Sequence, residues 1–199
     1  MGFIQTMTFT ITVANSHTNT TSAASTTKIF YMGYTTDFSG SFSLDKPLTD
    51  AHAAYLRKFA ETRRMSRNVE IASKFPDPIR EAAGLPIGEQ GSYFVGGLGF
   101  CGQELDASVV NSNSEPPGQP SLWCQWVPTD DNDGIEWDGG EKFYNYTKWL
   151  EYIIEHFLKP WGYVLNGVVE WFGEEHDDRG MIVVDDNNVT TKRARIVWE

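Results

Sequence analysis

The sequence predicts an α+β fold, an antiparallel sheet covered on one face by two main helices. Three observations carry this. Residues 141–158 (EKFYNYTKWLEYIIEHFL) place Phe143, Tyr146, Trp149, Leu150, Ile153, Ile154, Phe157 and Leu158 at spacings of three and four, one broad apolar stripe on an α-helix. Residues 163–172, 181–185 and 189–197 are β-branched and aromatic runs separated by the turns GEEHDDRG and DNN, the pattern of an antiparallel meander. Residues 37–44 (DFSGSFSL) put Phe38, Phe42 and Leu44 on one face and lead into a second helical pattern. Strands followed by helices, hairpins and a meander define α+β rather than a parallel α/β order.

The elements are taken in chain order. Residues 7–13 (MTFTITV) alternate like a short strand, but the Ser/Thr/Ala/Asn tract behind them has nothing to bury, so residues 1–31 read as a flexible leader and residues 32–199 as a single domain. Pro47 stops the first strand. Thr49 or Asp50 then caps a helix whose inward face is Ala51, Ala54, Tyr55, Phe59 and Thr62, running to about Met65. Residues 66–86 are weakly helical or irregular, residues 92–97 (SYFVGG) read as a strand, and residues 111–120 (NSNSEPPGQP) are a loop. Residues 122–127 and 135–138 form a hairpin about PTDDNDG, which leads through Gly139 and Gly140 into the central helix, with Asp138 as its N-cap; Pro160 and Gly162 end that helix.

Composition narrows the function. No run of 18 apolar residues suits a membrane span, and Cys101 and Cys124 fit no disulfide or metal motif, which points to a reducing cytoplasm. Charge is unevenly divided: residues 1–80 carry nine Lys/Arg against six Asp/Glu, and residues 81–199 carry seven against twenty-one. So acidic a C-terminal part disfavours direct nucleic-acid binding and suits an acidic surface that meets a cationic groove on a partner protein. Its strongest acidic points are Asp130, Asp131 and Asp133 in one turn and Glu174, Glu175, Asp177 and Asp178 in another.

The motifs with chemical content are few. Gly97, Gly99 and Gly102 match G-x-G-x-x-G after the run at 92–97, but residues 103–113 (QELDASVVNSN) look extended, and a dinucleotide fingerprint needs a helix N-terminus there. A binding loop or a plain turn remains. Asp131, Asp133 and Gly134 fall in a calcium-loop frame that fails at both ends, with Thr129 first and Gly140 last, so a hairpin turn is the better reading. The turn at 174–178 adds His176 to four carboxylates, a set that successive turn residues point apart, and no metal or cofactor is expected. Arg57, Lys58, Arg63, Arg64 and Arg67 make a basic strip on and past the first helix, able to bind a phosphorylated ligand or to pair with the acidic part of the chain.

The segments GSFSLDKPLTDAHAAYLRKFAETRRM, LWCQWVPT, DGGEKFYNYTKWLEYIIEHFLKPWGYVLNG and EW-x-GEE resemble a family of small uncharacterised proteins carried by bacteriophages and prophages. The resemblance spans about residues 32–189 and implies a viral protein acting in the host bacterium's cytoplasm; it implies no activity and no site residues. Three functional expectations arise. The first is a non-enzymatic binding protein that inhibits a host or antiviral-defence protein through its acidic, aromatic-rich surface. The second is a nucleotide-binding or sequestering protein whose pocket joins Arg57 and Arg64 to Gly97, Gly99 and Gly102. The third is a small hydrolase or nucleotide-modifying enzyme that pairs Asp or Glu with His176.

Overall fold

The computed structural model describes residues 33–97, 99 and 101–194, so the leader expected at residues 1–31 and the end of the last expected strand lie outside it. Its architecture is α+β. Strands β1 (Thr36–Ser39) and β2 (Ser41–Leu44) are followed by α1 (Asp50–Glu61), β3 (Ser66–Arg67), α2 (Val69–Ala72), α3 (Pro78–Ala82), β4 (Val109–Asn111), β5 (Trp126–Pro128) and β6 (Gly134–Trp137). Then come α4 (Tyr146–Ile153), β7 (Leu165–Gly173), β8 (Arg179–Asp185) and β9 (Asn188–Arg193). Seven strands form one antiparallel sheet in the order β5-β6-β2-β7-β8-β9, with β1 also on β7; β3 and β4 pair separately.

Period-2 alternation decides which way the sheet faces. Leu165, Val169 and Trp171 of β7 and Ile182 and Val184 of β8 are buried, while Asn166, Val168, Glu170 and Phe172 face outward. The two main helices cover the buried side. Thr49 caps α1, its hydroxyl accepting from the His52 N–H, and Tyr55 and Phe59 point inward as expected, beside Ala53, Leu56 and Ala60. Ala54 is exposed, because the buried stripe passes through its neighbour Ala53 instead. Phe59 meets Phe157 with ring centroids 5.1 Å apart, Trp149 at 5.9 Å and Tyr152 at 6.2 Å, so aromatic contacts join the two helices.

The central helix is shorter than the sequence pattern suggests. Lys142 (φ 60°) and Asn145 (φ 55°) occupy the left-handed region, so residues 141–145 are not helical and the helix starts at Tyr146. Phe143 is nevertheless buried, packed from a loop against Trp126 at 5.4 Å, and its phase with the stripe is coincidental. Asp138 does not cap the helix; its carboxylate accepts from the Gly140 N–H at 2.8 Å. After Ile153 the helix widens into a π-turn over Ile154–Leu158, where the Lys159 N–H reaches back five residues to the Ile154 carbonyl. Pro160 and Gly162 end it as expected: Gly162 sits at φ 77°, and the Tyr163 N–H bonds the Leu158 carbonyl at 2.9 Å, closing a Schellman motif.

Residues 92–97 are a turn and an extended segment, not a strand, and β4 is only three residues long. Long stretches between Thr62 and Gln125 are therefore a loop layer, folded against the α1 side of the core.

This packing has two measurable outcomes. Trp149 is fully buried and donates its indole N–H to the Ser121 hydroxyl at 2.7 Å, so Trp149→Ala is expected to lower the unfolding free energy in urea by about 3–5 kcal/mol. Burial holds the His52 and His156 imidazoles below their ordinary range. The unfolded chain then takes up protons first as pH falls through the usual histidine value of about 6.5, so stability present above that pH is lost below it. A His52→Asn/His156→Asn double variant should show a smaller drop in urea midpoint between neutral pH and pH 5 than the parent chain.

Candidate functional site

The loop layer is organised by two arginines three residues apart. Past α1 the chain runs extended, and Arg64, Met65, Ser66 and Arg67 are all buried. Arg64 is 2% exposed and donates from Nη2 to the Ser92 carbonyl at 2.7 Å, from Nη1 to the Phe94 carbonyl at 3.1 Å and from Nε to Gln119 Oε1 at 3.3 Å. Its guanidinium also lies 4.1 Å from the centroid of the Phe59 ring. Burial pulls its pKa down to about 10, still cationic at neutral pH. Every nitrogen is occupied. Arg64 is therefore a structural cation that ties residues 92–94 and 119 to the end of α1.

Arg67 is equally buried, at 3% exposure, and is not fully satisfied. Its Nη1 donates to Ser108 Oγ at 2.8 Å and lies 3.3 Å from Asp106 Oδ1, and its plane sits 4.6 Å from the Phe94 ring centroid. Asp106 and Ser108 come from a local Asx-turn in which the Asp106 carboxylate accepts from the Ser108 N–H at 2.8 Å and from its hydroxyl at 2.6 Å. Gly91 lets the backbone lie against the arginine stem: a Cβ there would stand 3.0 Å from Arg67 Cβ, at a φ of 73°. Nη2 is buried and has no hydrogen-bond partner among the described residues. An unpartnered buried donor of this kind costs about 1–3 kcal/mol, more for a charged group, unless something outside the chain accepts from it.

Arg67 lines a cleft of about 260 Å³ shared with Gly96, Gly97, Gly102, Gln103 and Asp106. Phe75 and Leu105 also line it; among the described residues they belong to the small set of large apolar side chains left exposed, Leu105 at 84%. The glycine segment is pinned at its base. Asp77, capping α3 and paired with Arg80 Nε at 2.9 Å, accepts the Val95 N–H at 3.0 Å, and a Cβ on Gly96 would lie 2.5 Å from the Pro76 carbonyl oxygen. Gly97 is the opposite case, because a Cβ there meets nothing within 4 Å. The arrangement can hold a small molecule with an apolar body and an oxygen that accepts from the Arg67 guanidinium.

The other sequence-derived candidates are scattered. Gly97 and Gly102 line the cleft; Gly99 is exposed, at φ 61°, and is not part of its wall. Arg64 is spent on structural bonds, and Arg57 donates to the Thr129 carbonyl at 2.8 Å across a separate cleft of about 440 Å³ shared with Glu61, Asp130, Glu136 and Asp138. Burial raises the Asp138 carboxyl pKa there. Asp131 and Asp133 are in the β5–β6 turn, where Asp133 accepts from the Thr129 hydroxyl at 3.0 Å. Glu174, Glu175, Asp177 and Asp178 lie in the β7–β8 turn beside His176; Glu174 accepts the Thr35 N–H and Asp178 the Tyr34 hydroxyl. Because the first turn adjoins Leu44, which pairs with Leu165, and the second begins after Gly173, the two carboxylate groups sit toward opposite ends of the sheet's strands, the first on the far side of β2 from β7. No group of three or more His, Cys, Asp or Glu able to hold a metal occurs among the described residues.

Arg67 was visible only as one member of a basic strip, and Phe75, Leu105, Asp106 and Ser108 carried no functional signal; the stretch 103–113 read as extended, whereas residues 103–108 form a short 3₁₀ turn and an Asx-turn. No family model matches the sequence, and no curated protein or solved structure matches it either.

The contrast between the two arginines is measurable in urea unfolding. Arg64→Leu leaves the Phe94 carbonyl and Gln119 Oε1 without their donor and removes one of the two donors to the Ser92 carbonyl, and is expected to cost about 2–6 kcal/mol, at ~1–3 for each of the two buried orphans. Arg67→Leu removes a cation that is already short of one partner and should cost less than half as much. Equal costs would contradict the division of roles.

Proposed function

We propose that the chain is a small-molecule-binding protein whose ligand enters the Arg67 cleft. The observation that carries this reading is the unpartnered Nη2 of a buried arginine, set between exposed apolar side chains and the glycine segment. Buried polar groups almost always find partners, and those left unsatisfied collect at sites that a ligand completes. Two of the glycines that the sequence associates with a ligand, Gly97 and Gly102, belong to this cleft; the cation beside them is Arg67 rather than Arg57 or Arg64. None of the described cleft side chains supplies a nucleophile with an adjacent base, so the reading is binding or sequestration rather than catalysis.

The inhibitory protein-binding role rests on the charge imbalance and on the resemblance to phage proteins. A partner meeting both carboxylate turns would have to span the sheet, and Glu174 and Asp178 already accept bonds from residues 34 and 35. The geometry favours the cleft.

Thermal-shift screening of the full chain against nucleotides, inorganic phosphate, short carboxylates and neutral amides tests the reading. A true ligand at 100-fold its dissociation constant adds about 2.7 kcal/mol of stability. Gly97→Leu should abolish the gain without unfolding the protein, since its Cβ enters open space at an ordinary φ. A stabilising compound whose effect persists in Gly97→Leu binds elsewhere and counts against the cleft.

A further inference from the structure

We infer that the cleft takes a compound with a single carboxylate on a compact apolar body. This deepens the ligand-binding reading and rests on it. Three features of the site select that chemistry: its charge, the uncommitted edge of its guanidinium and its size.

The charge balance admits one negative charge and not several. Arg67 is the sole cation among the described residues that line the cleft, and Asp106 stands 3.3 Å from its Nη1. A polyphosphate would bring several negative charges to one already half-compensated guanidinium. Asp106 does not cancel Arg67 outright, because the carboxylate oxygen nearest Nη1 also accepts the backbone N–H and the hydroxyl of Ser108. Enough positive potential is left at Nη2 to prefer a carboxylate over a neutral carbonyl, and charge-assisted bonds are about twice as strong as neutral ones.

The donor geometry points the same way. Nη1 is committed to Ser108 and Asp106, so the guanidinium cannot offer its Nη1–Nη2 fork to a ligand; the edge left to it is that of Nη2 and Nε. That edge matches the two oxygens of one carboxylate, whereas a phosphate brings a third oxygen and further negative charge with no second cation among the described lining residues to meet them. The body of the ligand meets Phe75 and Leu105 at the mouth. A volume of about 260 Å³ is just under the range of drug-sized pockets, roughly 300–1,000 Å³, so it suits one ring or a short acyl chain rather than a dinucleotide.

Isothermal titration of the full chain with benzoate, hexanoate, benzamide, inorganic phosphate and adenosine monophosphate tests this. At least one of the two carboxylates should bind, and benzamide, the neutral isostere of benzoate, should bind at least tenfold more weakly than benzoate if benzoate is the one held. Arg67→Met should weaken the carboxylate about 10- to 150-fold, the loss of a charge-assisted bond of ~1.5–3 kcal/mol. Gly97→Leu should remove binding, and Leu105→Ser, at a position too exposed to carry the fold, should reduce it several-fold. Phosphate or adenosine monophosphate binding more tightly than either carboxylate, with loss in Gly97→Leu, would overturn the carboxylate assignment and leave the cleft reading standing. Benzamide binding as well as benzoate would do the same. Absence of binding by all five probes would overturn both.

Discussion

A cation with no carboxylate partner among the described residues is buried in the loop layer, and three distant segments of that layer are held by satisfying it. Arg64 collects two backbone carbonyls and one side-chain amide from positions 28, 30 and 55 residues away, and it faces the Phe59 ring rather than an anion. Placing a charge in such surroundings is costly unless every donor is used, so the segments that supply the acceptors have little freedom to move. Gln119, which accepts from Arg64, also donates to the Ser92 carbonyl and to the Tyr152 hydroxyl, whose pKa burial pushes up to about 12. One cation thereby connects the loop layer to the central helix.

That constraint positions the cleft. Fixing Ser92 and Phe94 fixes the ring on which the Arg67 guanidinium lies, and Gly91 admits the arginine stem against the same segment. The two arginines divide the work between them. Arg64 is bonded at every nitrogen and sets the geometry, whereas Arg67 is held by Asp106, Ser108 and Phe94 in a pose that leaves its Nη2 without a partner among the described residues. On the proposed reading a scaffold residue and a recognition residue sit three positions apart, which is how a loop-built site acquires a fixed shape without regular secondary structure.

The sheet and its two helices were legible because side-chain period reports burial directly: the alternation of residues 165–173 and the stripe from Tyr146 to Leu158 each name a buried face. Where the period misled, a local backbone choice was responsible. Phe143 kept phase with the stripe while Lys142 and Asn145 turned left-handed, and no spacing rule registers that. The loop layer was largely illegible for a different reason. Its stability comes from side chain to backbone bonds between distant segments, so it leaves no periodic trace, and Arg64 and Arg67 read as part of a basic strip available to a phosphorylated ligand or to the acidic part of the chain because arginines are seldom buried. The candidate site could be seen in part, through Gly97 and Gly102, but the residue that completes it depends on which arginines turn inward.

The most direct measurement is nitrogen-15 NMR of the arginine side chains during titration with benzoate and hexanoate. The Arg67 guanidinium resonances should shift and sharpen with at least one of them, as Nη2 gains an acceptor, while those of Arg64 stay in place because its donors are already engaged. Unmoved Arg67 signals in the presence of a compound that demonstrably binds would contradict the assignment of that cleft as the binding site.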